Sequence, residues 1–183
     1  RIGFFTNGIL INKAGARTII TSGADEITVS IPGFDAQTYL RIFRTDSWND
    51  VYEGMLNLLK ENELCHNKAD IRIGLRSDLP LHKLLGAPAY QGLRRFRFRL
   101  EYNMRYDSWS GRIKQGDLKG IMRLRKPPKK IEPCLLLYSG PTILSNGDMT
   151  LCGCRDLNAD AQLVVGNIRE RTILDMWRDG RVE

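Results

Sequence analysis

The feature that most narrows the possible folds is an alternation of β-rich runs and helical stripes through the first half of the chain. Gly3 to Thr6 is a short apolar run ending at the turn signal Asn7-Gly8. Leu10 to Ser22 carries Leu10, Ile11, Ala14, Ile19 and Ile20, a helical face that stops at Gly23. Glu26 to Ile31 is β-rich and stops at Pro32-Gly33, after which Asp35 is placed to cap a helix through Phe43. Ser47 to Leu64 is the clearest helix, with Val51, Met55, Leu58 and Leu59 on one stripe. Ala69 to Arg76 reads as the next strand and Pro80 to about Leu93 as helical. Strands alternating with helices predict βαβ units, a parallel sheet and right-handed crossovers. Three or four such units are too few to close an eight-stranded barrel, which leaves a partial barrel or a doubly wound fragment.

Arg95 to Glu101 alternates charged and apolar residues, the pattern of a half-buried strand. Charge on one face of a parallel sheet is unusual, because both faces are normally covered. Two accounts fit: an edge strand protected by charge, or Arg97 and Arg99 pointing into a lumen to hold an anionic ligand. Asp107 to Ile113 reads as a loop, and the stiff, charged run Lys126 to Lys130 as a linker. The expected division is therefore residues 1–126, a linker at 127–133 and a second domain at 134–183.

Composition is that of a soluble globular protein, 42% apolar and 27% charged. No apolar run approaches the roughly 20 residues that span a bilayer, and no signal peptide is visible, so a cytoplasmic protein without a membrane partner is expected. The chain opens at Arg1 in a strand-like run, which suggests a piece of a longer protein. The net charge of +7 is densest between Arg94 and Lys130. Without a focused patch of interleaved aromatics it reads as a solvated basic face rather than a nucleic-acid surface.

The cysteines separate the two halves. Cys134, Cys152 and Cys154 fall close together, while Cys65 stands alone beside His66 at a helix end. Asn146-Gly147 between the short β-rich runs Thr142 to Leu144 and Met149 to Cys152 is a hairpin signal, expected as a type I′ turn. On an extended strand Cys152 and Cys154 would share a face. From spacing alone, an iron–sulfur cluster, a zinc site and small buried cysteines remain open.

The order Cys134, twelve residues, Gly147, four residues, Cys152 resembles the opening of the SPASM/Twitch pattern of radical S-adenosylmethionine (radical SAM) enzymes. Val165-Gly166-Asn167-Ile168, followed by Ile173 to Trp177, resembles the ending of that pattern. Phe5-Thr6-Asn7-Gly8 and Ile27 to Gly33, with Tyr39 to Arg44 after them, resemble the third and fourth strands of a radical SAM barrel and its next helix. The resemblance implies an α/β fold: strands 3 to 6 of a partial parallel (β/α) barrel, then a small α+β iron–sulfur domain with a β-hairpin. It implies that Cys134, Cys152 and Cys154 bind an auxiliary [4Fe–4S] cluster, with a fourth ligand beyond Glu183 or at Asp156. Ser30 and Asn7 would contact S-adenosylmethionine, and Arg76 would be a lumen residue. The implied activity is that of an oxidoreductase or maturase: reductive cleavage of S-adenosylmethionine, then hydrogen abstraction from a peptide or small-molecule substrate. The electron donor would be a flavodoxin or ferredoxin. The family's Cys-x-x-x-Cys-x-x-Cys is absent from the chain, so this polypeptide alone is not expected to generate the radical. The alternative from another class is a non-catalytic iron–sulfur or zinc-binding interaction domain.

Overall fold

The computed structural model describes residues 1–109, 111–126, 134–135, 138, 140–153 and 163–179. They divide into two compact units, residues 1–106 with 115–124, and 107–114 with 125–183. The loop 107–114 groups with the second unit, and the expected linker 127–133 lies outside the described residues. Among the described residues no helix is long and apolar enough to cross a membrane.

The first unit runs β1 (Gly3–Thr6), α1 (Lys13–Thr21), β2 (Glu26–Ile31), α2 (Ala36–Phe43), α3 (Trp48–Leu64), β3 (Asp70–Leu75), α4 (Leu81–Leu85), α5 (Pro88–Leu93) and β4 (Arg99–Tyr102). A short pair, β5 (Arg105–Tyr106) with β6 (Arg123–Leu124), completes it. The helices begin where polar caps permit. Asn12 Oδ1 accepts the Gly15 N–H at 2.8 Å, and Asp35 Oδ1 accepts the Thr38 N–H at 2.8 Å. Strands β1 to β4 form one parallel sheet in consecutive order, with no reversal.

Period-two alternation sorts the sheet into two faces. Ile27, Val29 and Ile31 of β2 and Ile71, Ile73 and Leu75 of β3 are buried in the main core with Ile20, Val51, Met55 and Leu58 from α1 and α3. The opposite face is polar. There Thr28 registers with Arg72 and Arg99, and Ser30 with Gly74 and Glu101. Arg72 reaches Glu26 (2.8 Å), Asp70 (3.0 Å) and Glu101 (3.0 Å), and Arg99 Nε lies 3.2 Å from Asp70. Those carboxylates hold the Arg72 guanidinium charged more firmly than usual, the hydrogen bond to Asp70 contributing most.

The alternating run Arg95 to Glu101 is not one strand: β4 begins only at Arg99. Phe96, 8% exposed, packs into the core directly after α5, and its N–H bonds the Leu93 carbonyl at 2.9 Å. That turn delays entry into the sheet and leaves Arg97 outside it. Arg99 does lie on the open face, on an edge strand, and ends on Asp70.

In the second unit, β7 (Thr142–Ile143), β8 (Asp148–Thr150) and β9 (Val164–Asn167) form an antiparallel sheet in that order, followed by α6 (Ile173–Trp177). Its described core is Met149, Val165 and Met176, with Leu151 and Trp177 against them.

Candidate metal centre

The hairpin β7–β8 places Cys152 two residues beyond the last residue of β8. Its loop is not a type I′ turn. The Gly147 N–H bonds the Leu144 carbonyl at 2.9 Å and the Leu144 N–H bonds the Asp148 carbonyl at 2.9 Å. Only Gly147 in this loop has positive φ, +92°. One left-handed glycine closing a longer loop keeps the strands paired without left-handed backbone at Asn146.

The tip is held from a distance. Asn167, at the end of β9, donates from Nδ2 to Asp148 Oδ1 (3.0 Å) and to the Asn146 carbonyl (3.3 Å). Its Oδ1 accepts the Arg169 N–H at 3.0 Å. The Ile168 N–H bonds the Gly147 carbonyl at 2.9 Å. A Cβ on Gly147 would stand 2.8 Å from Asn167 Oδ1, so glycine there admits the asparagine as well as the turn. Sequence reasoning singled out both motifs but missed that one clamps the other.

Beyond β8 the chain bends at Leu151 and turns at Gly153, and Cys154, expected to share a strand face with Cys152, lies outside the described residues. The bend follows from packing. A Cβ on Gly153 would collide with the Thr142 side chain, which holds this backbone tight against β7. The Cys152 N–H donates to Oγ1 of fully buried Thr150 at 3.3 Å.

Cys134 and Cys152 are both half-buried. Cys154 and Asp156, the other proposed ligands, lie outside the described residues. Among the described residues no three His, Cys, Asp or Glu side chains converge. Several other candidate donors lie elsewhere or are already engaged. Both histidines, His66 and His82, belong to the first unit. Asp148 is bound to Asn146 and Asn167, Asp175 to Thr172, and Asp179 to Arg171. Thiol is the donor that iron–sulfur clusters require.

The other predicted residues lie in the first unit. Cys65 caps the C-terminus of α3, half-buried against the main core. Asn7 is a turn former, its Oδ1 accepting the Ile9 N–H at 3.2 Å. Ser30 is half-buried on the polar face of β2, beside the bare Gly74 of β3, and its hydroxyl makes no hydrogen bond among the described residues. Arg76 follows β3, is exposed, and its charge draws down the phenol of Tyr106, which burial pushes up more strongly.

Residues 134–183 match the model of the SPASM family, described as an iron–sulfur cluster-binding domain. No curated protein and no solved structure matches the chain. The last part of the chain, with the hairpin and its clamp, is thus a SPASM-type domain, a class that binds iron–sulfur clusters.

Proposed function

We propose that Cys134, Cys152 and Cys154 hold a [4Fe–4S] cluster, and that the chain serves as the auxiliary-cluster part of a radical SAM oxidoreductase or maturase acting on a peptide or small molecule. The observation that carries this reading is the set of thiol donors beside a hairpin whose tip is clamped by Asn167. The described core there is Met149, Val165 and Met176, and small metal-binding domains draw much of their stability from ligation. When bound, a cluster supplies one-electron redox capacity. The chain's own residues do the positioning: Asn167 fixes the hairpin tip, and Gly153 presses the Cys152 turn against β7.

The first unit supports the barrel part of the proposal. Four consecutive parallel strands, helix-packed on one face and polar on the other, suit one wall of a partial (β/α) barrel with a hydrated lumen. At the C-terminal end of such a wall, where barrels bind ligands, the Ser30 hydroxyl and the bare Gly74 leave donor capacity and room for S-adenosylmethionine. Asn7, engaged in its own turn, is the weaker of the two candidate contacts.

Anaerobic reconstitution with iron and sulfide tests the cluster. About four of each per chain, with broad charge-transfer absorption, is the expected result for a [4Fe–4S] centre. A zinc-only protein without that absorption overturns the assignment and favours the interaction-domain reading. For the enzyme reading, the chain with S-adenosylmethionine and dithionite should yield no 5′-deoxyadenosine. A longer parent polypeptide carrying Cys-x-x-x-Cys-x-x-Cys should yield it, and a parent lacking that motif sinks the radical SAM assignment.

A further inference from the structure

We propose that a cleft at the N-terminal end of the parallel sheet binds a small phosphorylated ligand with a planar or apolar part, such as a nucleoside phosphate. The cleft encloses about 340 Å³, a size suited to small ligands. Lys68 enters it from just before β3, and Arg97 and Phe98 from just before β4, with Arg99 opening that strand. This is the end of the strands opposite Ser30 and Arg76, so the site is separate from the one proposed above.

The charge in the cleft is not cancelled from within. Asp70 accepts from Arg72 at 3.0 Å and faces Arg99 at 3.2 Å, and Asp25 accepts the Ile2 N–H at 2.7 Å. Both carboxylates on the wall are therefore occupied. Lys68 and Arg97 are exposed and have no carboxylate partner among the described residues. A guanidinium offers a planar fork to phosphate oxygens and an ammonium a mobile point charge, so the two recognise phosphate jointly. Half-buried Phe98 gives the same cleft an apolar edge for a flat group.

The cations stand on fixed backbone. Buried Asn62 donates to the Ala69 carbonyl and accepts the Ala69 N–H, each at 3.0 Å, and the Asn67 N–H bonds the Asn62 carbonyl at 2.7 Å. That clamp holds His66 and Asn67 in the left-handed region, at φ of 57° and 55°, and so sets the position of Lys68. On the other side, buried Phe96 anchors the turn before Arg97. A loop held this way loses little entropy on binding.

The test is titration of ADP into the full chain carrying its reconstituted cluster, at roughly physiological salt. One saturable site is expected, with inorganic phosphate competing. A Lys68→Ala, Arg97→Ala double variant should lose about tenfold or more in affinity. Arg105→Ala, which removes an exposed arginine outside the cleft, should bind as the parent does. Iron and sulfide content, read on the same samples, reports the cluster assignment independently. The proposal is overturned if ADP shows no saturable binding, if the double variant binds unchanged, or if citrate binds as tightly as ADP. Equal weakening by Arg105→Ala, or displacement of ADP by a short single-stranded oligonucleotide that depends on all these arginines, would also overturn it. Either result would mark a diffuse polyanion surface.

Discussion

The two units reach order by different means. The first buries 21 apolar residues in one core, built from an alternation of strand and helix that any βαβ sequence must follow. Among its described residues the second buries three in its core, and its described fixed points are polar: an asparagine clamp on a hairpin tip and a threonine hydroxyl under Cys152. Burial dominates the first unit, whereas the described part of the second is held by directed bonds and, on the proposed reading, by what its thiols bind.

The largest expected effect tests that dependence. Cys152→Ala should leave the chain with little or no bound iron, and residues 140–179 should lose most of their protection from hydrogen exchange. Protection of β2 and β3 should be unaffected. Full retention of iron would remove Cys152 from the ligand set. Loss of protection throughout the first unit would show that the contrast is not one of independent stabilities.

The converse change is Leu58→Ala, at a side chain buried completely in α3. It should cost about 2–5 kcal/mol in denaturant unfolding of the first unit, from lost transfer energy plus the cavity. Iron per chain should hold. Iron loss in step with unfolding of the first unit would break the comparison.

A smaller effect belongs to the clamp. Asn167→Ala leaves Asp148 and the Asn146 carbonyl without that donor, which should cost about 0.5–1.5 kcal/mol, measurable as faster exchange at the hairpin. Slower reconstitution with iron should accompany it. A hairpin unchanged by the substitution would show that the tip is held by its turn alone.

Legibility follows the same divide. Local rules were visible in the sequence: the Asp35 cap, the α3 stripe and the strand at Glu26 to Ile31 all stand where the pattern put them. Strand order was not visible, because periodicity does not say which strands are neighbours. The start of β4 was misplaced because Arg95 to Glu101 has perfect alternation, while the burial of Phe96 after α5 is a tertiary demand. In the second unit, Asn146-Gly147 announced a hairpin but not its loop type. The bond from Asn167 spans 21 positions, beyond any local rule. Cysteine spacing gave the candidate ligands only after the resemblance supplied their context.

The smallest expected effect is at alkaline pH and concerns the first unit. The phenols of Tyr39, Tyr102 and Tyr106 all lie there, and burial pushes each upward from the usual tyrosine range. At Tyr106 the charge of Arg76 opposes the shift without cancelling it. A folded-state value above the unfolded one means that the stability from these phenols is fully present below about pH 10. It is lost as pH rises through the folded values. Urea unfolding of the first unit, followed by exchange of β2 and β3, should therefore weaken above about pH 10. The Tyr106 hydroxyl is buried with no hydrogen-bond partner among the described residues, so Tyr106→Phe removes an unsatisfied group as well as a titrating one. The variant should be at least as stable as the parent near neutrality and should show a shallower alkaline decline. A decline of unchanged slope would move the effect to Tyr39 and Tyr102. Destabilisation near neutrality would mean that the hydroxyl is bonded in solution, and that the first unit also relies on a directed polar contact.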